Sequence, residues 1–138
     1  MERTLLRSLH NKLLYDRRIS MHLEFYAQEV HYAEALGGDI IQVSFQEYPD
    51  PEVDYNKSDF QLPPPVKRIF FSVNYEFPPC AIHVDWCDGE EEDGGELIKE
   101  IELTNRSLKI TLKNNYSFNV SFKTDDITFQ KIKCFLTG

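Results

Sequence analysis

The spacing of apolar positions switches from helical to two-residue near residue 19, and back again near residue 124. Residues 2–17 carry Leu5, Leu6, Leu9 and Leu13 at helical spacing, with basic side chains mostly off that stripe, which predicts an amphipathic helix. From Ile19 the apolar residues Ile19, Met21, Leu23 and Phe25 alternate with Ser20, His22, Glu24 and Tyr26, the pattern of a half-buried strand. Residues 27–36 fit either an edge strand or a short helix, and Gly37-Gly38 then breaks the chain. A second strand follows over residues 40–48, with Ile41, Val43 and Phe45 on one face. Residues 49–65 hold five of the seven prolines, which supply no ladder donor, so a long acidic loop is expected there.

Alternation resumes over residues 66–77 through Ile69, Phe71, Val73 and Tyr75, and Pro78-Pro79 ends it. Residues 80–87 read as a strand with Ile82, Val84 and Trp86 on one face, and residues 88–96 as a charged loop containing glycine. Three short strands are then expected over residues 97–104, 107–113 and 116–123. Asn105-Arg106 and Asn114-Asn115 are their turns, since Asn tolerates the left-handed backbone of a tight hairpin. In residues 124–136, Phe129, Ile132 and Leu136 return to helical spacing, with Thr124 or Asp125 available as a cap and Asp126 suited to the first turn. The expected architecture is a single α+β domain over residues 1–138: an antiparallel meander of about seven strands (19–123) with helices at 1–18 and 124–138 packed on it.

Composition changes this picture little, but charge changes it more. The chain has 138 residues, 41% of them hydrophobic, with ten Phe and seven Tyr, enough for a core without disulfide or metal. The formal net charge is −8 and it is unevenly spread. Residues 1–18 hold five basic and two acidic side chains, whereas the remainder holds 10 basic and 21 acidic ones. Such a body repels nucleic acid, whose binding rests on neutralised phosphates, and steers basic proteins toward itself. No stretch approaches the roughly 20 apolar residues of a membrane span. The first residues lack an uninterrupted apolar core, and Cys80, Cys87 and Cys134 are odd in number, so a reducing, cytoplasmic setting is expected.

Motifs for chemistry are sparse. Cys80, His83, Asp85, Cys87 and Asp88 cluster in sequence, but C-x2-H-x3-C is not a zinc spacing, and strand parity puts Cys80 and His83 on opposite faces. The run from Asp88 to Asp93 lacks the twelve-residue calcium-loop pattern. No nucleophile elbow, P-loop or dinucleotide fingerprint occurs, so neither enzyme activity nor a cofactor is expected. The aromatic residues Tyr26, Tyr32, Tyr48, Tyr55, Phe60 and Trp86 offer an alternative, a pocket for a small molecule or carbohydrate. Only Tyr55 and Phe60, within the Pro-rich loop, lack a core assignment.

From Ile82 onward the chain resembles the small acidic immunity proteins of bacterial polymorphic toxin systems, immunity protein family ten in particular. The resemblance is carried by IHVDWCDGE, GGELIKEIEL, the hairpin NRSLKITLK, the strand YSFNVSF and the closing TDDITFQKIKCFL. It implies a non-catalytic protein that binds and neutralises a cognate toxin domain, and it carries no catalytic residues with it. An acidic body suits a basic toxin such as a nuclease. The residues expected to meet it are Asp50, Glu52, Asp54, Tyr55, Asp59 and Phe60 in one acidic segment, and Asp88, Glu90, Glu91, Glu92 and Asp93 in the other.

Overall fold

A computed structural model of the chain describes residues 21–138. The expected helix at residues 1–18 lies outside these. The described residues form eight strands, a short 3-10 helix (Leu36–Gly38) and one α-helix: β1 (His22–Ala27), β2 (Glu29–Ala35), β3 (Ile40–Gln46), β4 (Lys67–Asn74), β5 (His83–Asp88), β6 (Glu92–Leu103), β7 (Ser107–Leu112), β8 (Ser117–Phe122) and α1 (Asp126–Thr137). The α+β class is therefore as expected. The strands hydrogen-bond in the order β1-β8-β7-β6-β5-β4-β3-β2.

Strands β2 to β8 form a seven-stranded antiparallel meander, each paired with the next along the chain, but they are not the expected seven, which began with residues 19–26 and left 27–36 open. The correction is β1, which pairs with β8 in parallel, Leu23 beside Phe118 and Phe25 beside Val120. The cause is arithmetic. In an up-and-down sheet with an odd number of strands, the first and last point the same way, so they can join only in parallel. Here β1 and β2 are separated by the single residue Gln28, whose N–H donates to Glu47 O (3.3 Å). They act as one stave bent at Gln28, its first half bonded to β8 and its second to β3. The sheet thus closes on itself through chain continuity, a barrel's remedy for exposed edges.

Strand β6 is the opposite corner. Its first half pairs with β5 and its second with β7, with register shifts opposite Val84–Trp86 and between Ile98 and Glu100. Bends and bulges of this kind let one strand pass from one packed layer to the other. The layers meet across the core: Phe45 of β3 lies 5.0 Å from Phe122 of β8, and Trp86 of β5 lies 5.7 Å from Phe118, although neither pair sits on neighbouring strands.

Alternation accounts for which residues fill this core. Leu23, Phe25 and Ala27 on β1, Val43 and Phe45 on β3, and Ile69, Phe71 and Val73 on β4 all point inward. So do Val84 and Trp86 on β5, Leu108, Ile110 and Leu112 on β7, and Phe118, Val120 and Phe122 on β8. The Asn-bearing hairpins form where expected. Asn115 adopts φ +71 between β7 and β8, and Asn114 Oδ1 accepts from Tyr116 N (3.0 Å).

Helix α1 starts at the expected cap. Asp125 Oδ2 accepts from Thr128 N (2.9 Å) and Oδ1 from Thr128 Oγ1 (2.7 Å), and these bonds hold the Asp125 carboxyl below its usual range. The helix packs against β2 and β6, bridging the two bent staves, and Ile132 and Leu136 join the core cluster.

Several boundaries differ from expectation. Residues 29–35, ambiguous in sequence, form the strand β2 because Val30 and Tyr32 pack on the core and the backbone pairs fully with β3. Strand β4 ends at Asn74, so Tyr75 lies outside it and is exposed, while β5 begins only at His83 after a turn in which Cys80 adopts φ +61. The supposed loop at residues 88–96 is mostly strand: β6 begins at Glu92, and only Gly89, Glu90 and Glu91 separate it from β5.

The helix contact yields a direct test. Ile132 is fully buried, so Ile132→Ala should destabilise the protein by about 2–5 kcal/mol in denaturant unfolding. Ile127→Ala, on the exposed side of the same helix, should change stability by no more than about 0.5 kcal/mol.

Candidate functional site

The two acidic segments, far apart in sequence, open at the same end of neighbouring strands. The 49–65 connection leaves β3 at Gln46 and enters β4 at Lys67, and in the sheet Gln46 pairs with Arg68 and Lys67 with Asp88. Helix α1 meets this layer at β2, and Tyr32, Ile41 and Tyr75 line a shallow depression beside it.

The Pro-rich connection is tied down at its start. Gln46 is 9% exposed, and its Nε2 donates to Tyr48 O (2.6 Å) and to Asp50 Oδ1 (2.8 Å). Asp54 caps a turn by accepting from Asn56 N (3.0 Å). The Tyr55 and Phe60 rings meet edge to face at 5.2 Å, yet Tyr55 stays 64% and Phe60 43% exposed. Glu52 and Asp59 are exposed beside them. This segment therefore presents an exposed aromatic pair on a stretch that also carries Glu52, Asp54 and Asp59, with no core assignment, as the sequence indicates.

The β5–β6 turn sorts its acids into two kinds. Asp88 Oδ1 accepts from Glu90 N and Glu91 N, both at 2.8 Å, and Asp88 N donates to Glu91 O (3.2 Å). These bonds from Glu91 and then Glu90 hold the Asp88 carboxyl below its usual range. Asp88 is thus the turn's own brace. Glu90, Glu91, Glu92 and Asp93 are exposed. The Glu92 carboxylate pairs with the Arg68 guanidinium. Those two residues flank Cys87 in register, and the Cys87 side chain, although on the outer face, is only 1% exposed.

Beside the turn lies a depression of about 470 Å³ lined by Arg68, Phe70, Asp85, Trp86, Glu92 and Asp93. Of these, the sequence pointed to Glu92 and Asp93 as partner-facing. Arg68 and Phe70 were missed, and Asp85 was weighed only as a metal ligand, although the outward parity of Phe70 between the inward Ile69 and Phe71 was readable. The depression depends on a bulge in which Gly94 and Gly95 oppose Asp85. Asp85 Oδ1 accepts from Gly95 N (2.9 Å), and Asp93 Oδ1 from Gly94 N (2.8 Å). A Cβ on Gly94 would overlap Asp85 Oδ1 and stand 2.8 Å from Asp85 Cα.

Other constellations are less concentrated. The aromatics that suggested a pocket are dispersed: Trp86 is in the core against Tyr116 and Phe118, Tyr55 and Phe60 are on the loop, and Tyr26 and Tyr48 are exposed elsewhere. Tyr32 lies by α1, with Lys131 Nζ 5.7 Å from its ring centroid; burial, and then the neighbouring Glu34, push its hydroxyl up to about 12. Ser117, His22 and Glu24 form a hydrogen-bonded line along the β1–β8 pair, Ser117 Oγ at 2.7 Å from Nδ1 and Glu24 Oε1 at 2.9 Å from Nε2. The His22 and Glu24 side chains are 51% and 65% exposed, so water competes for each bond. Cys80 Sγ donates to Tyr75 O (3.5 Å), and His83 is exposed on β5. Among the described residues, no group of three or more His, Cys, Asp or Glu side chains is placed to hold a metal ion, and no helix is long and apolar enough to cross a membrane.

Fold and site together define a bent-staved β-barrel domain with a bridging helix and an acidic, aromatic-bearing end. No protein-family model, no curated protein and no solved structure matches the chain.

Two outcomes follow from the turn and the bulge. A depressed carboxylate stabilises the fold above its unfolded pKa, and the gain is lost as pH falls through the folded value. The stability difference between wild type and Asp88→Ala should therefore be constant near neutrality and shrink in acid, below the ordinary aspartate range, in unfolding curves taken at several pH values. Gly94→Ala should destabilise by about 1–3 kcal/mol, with partial recovery in the Asp85→Ala, Gly94→Ala double variant, because the clash with Asp85 Cα remains.

Proposed function

We propose that this domain is a non-catalytic binding protein of the immunity type, which captures and neutralises a basic toxin domain, such as a nuclease, through its acidic end. The observation that carries the reading is the convergence of two acidic segments on one end of the sheet. Glu47, Asp50, Glu52, Asp54 and Asp59 join Asp88, Glu90, Glu91, Glu92 and Asp93 there, against Lys57, Lys67 and Arg68. A predominantly acidic surface of this kind accelerates encounter with an oppositely charged partner. The exposed Tyr55–Phe60 pair adds what charge alone lacks, an apolar contact of the type that anchors interfaces. The C-terminal resemblance to immunity proteins points to the same class.

The test begins with capture from the native source. The expected companion is a basic protein encoded beside this gene; neighbouring genes without a toxin-like product would overturn the reading. With that partner in hand, Glu90→Lys, Glu91→Lys and Asp93→Lys together, which leave the Arg68–Glu92 pair intact, should slow association about tenfold or more at low salt and flatten its salt dependence. An unchanged association rate would remove the turn from the interface.

A further inference from the structure

The inner face of the sheet runs on past the core at the end away from the acidic connections. Val43 pairs with both Tyr32 and Phe71, and Ile41 with Val73, so Tyr32 and Ile41 share the face on which Val43, Phe71 and Val73 are buried. Tyr75 lies two residues beyond Val73, and its N–H donates to Asp39 O (2.7 Å), one more bond between these two chain segments. Helix α1 brings Gln130, Lys131, Cys134 and Phe135 to the same place, residues spaced three and four apart and so on one side of the helix. Together they line a depression of about 380 Å³. Tyr32, Ile41 and Phe135 pack partly against the core, and Tyr75 is 47% exposed. The one cation is Lys131, whose Nζ stands 5.7 Å from the Tyr32 ring centroid. Among the described residues no carboxylate pairs with it. Glu34 is taken up by the Tyr32 hydroxyl (2.6 Å) and is not part of the lining.

We propose that this depression binds a small aromatic carboxylate, its ring against Tyr32, Tyr75 and Phe135 and its anionic group at Lys131. Three aromatic side chains on one opening suit a flat ring, which can stack on one wall and meet another edge to face. Small-molecule sites of this size combine apolar walls with a few polar groups that fix orientation, and the mouth of a barrel is a common place for them. Lys131 is a cation without a counter-ion in a chain of net charge −8. Apolar surface beside it reduces the screening of an anion brought there. The Tyr32 hydroxyl, pushed up to about 12 by burial and then by Glu34, stays neutral at ordinary pH and adds no charge against that anion. The site lies where Ile40 pairs with Asn74, whereas the acidic connections leave from Gln46 and Arg68 at the opposite end of the same strands. It therefore does not rest on the capture of a basic protein.

The exposed Cys134 thiol in the lining is a built-in reporter, and Cys80, outside the depression, is its control. The test follows iodoacetamide alkylation of both thiols in the full chain by mass spectrometry, as 2-naphthoate is titrated in. A parallel titration uses 2-naphthamide, which has nearly the same shape and no charge. The expected result is saturable protection of Cys134 but not Cys80, with naphthoate binding about two- to fivefold tighter than the amide. Lys131→Gln should erase that difference by weakening naphthoate alone, and its unchanged affinity for the amide shows that the variant is folded. Tyr75→Ala, at an exposed position outside the strands, should weaken both probes by about 3- to 10-fold. Octanoate, charged but without a ring, should protect Cys134 less well than naphthoate. Absence of protection at Cys134, equal binding of naphthoate and naphthamide to the wild type, or a loss in Lys131→Gln shared by the amide would each overturn the site. Octanoate binding as tightly as naphthoate would overturn its aromatic selectivity.

Discussion

The parallel pairing of β1 with β8 is the contact on which the rest of the structure depends. Seven antiparallel staves leave two edges that point the same way, and a hairpin cannot join them. The chain solves this by bending its first stave at Gln28, so that residues 22–27 lie along β8 while residues 29–35 lie along β3. Closure puts Phe45 against Phe122 and Trp86 against Phe118, and so turns seven amphipathic ribbons into one core. Without it, the inner faces of β3 and β8 would be the exposed surfaces of two open sheets. The second bent stave, β6, is its counterpart across the barrel, and α1 spans the two.

The acidic end is a consequence of that geometry. A meander places alternate connections at the same end of the sheet, so the β3–β4 and β5–β6 connections are neighbours although 22 or more residues separate them in sequence (Lys67 to Asp88 across one register step). The connections differ in rigidity. The β5–β6 turn is braced by Asp88 and the glycine bulge, whereas the 49–65 segment is fixed mainly where Gln46 holds Tyr48 and Asp50. A rigid, sharply charged turn beside a longer aromatic-bearing segment is a division suited to recognition: one part fixes position and the other supplies contact area.

Much of the fold was legible because alternation is a strong signal wherever one face is buried. Leu108, Ile110, Leu112, Phe118, Val120 and Phe122 announce β7 and β8 by period alone, and Asp125 announces α1 by its capping role. The parallel closure was not legible. Nothing local in HLEFYA distinguishes a strand that pairs with its sequence neighbour from one that pairs with a strand 95 residues away, as His22 does with Ser117. The extent of β6 was hidden for a different reason. Four consecutive acids and two glycines read as loop, yet the acids face solvent and the glycines fill a bulge opposite Asp85, so the backbone pairs regardless. Among the site residues, Tyr55 and Phe60 stood out as aromatics without a core role, while Phe70 and Asp85 became visible only when the register set them side by side.

The closure of the barrel is most directly tested by cross-strand proton contacts between β1 and β8 in solution. Parallel pairing predicts nuclear Overhauser effects linking Leu23 with Phe118 and Phe25 with Val120, the separation rising together along both strands. Contacts in which Leu23 meets Val120 and Phe25 meets Phe118, as an antiparallel register would require, or no contact between these strands at all, would contradict the account.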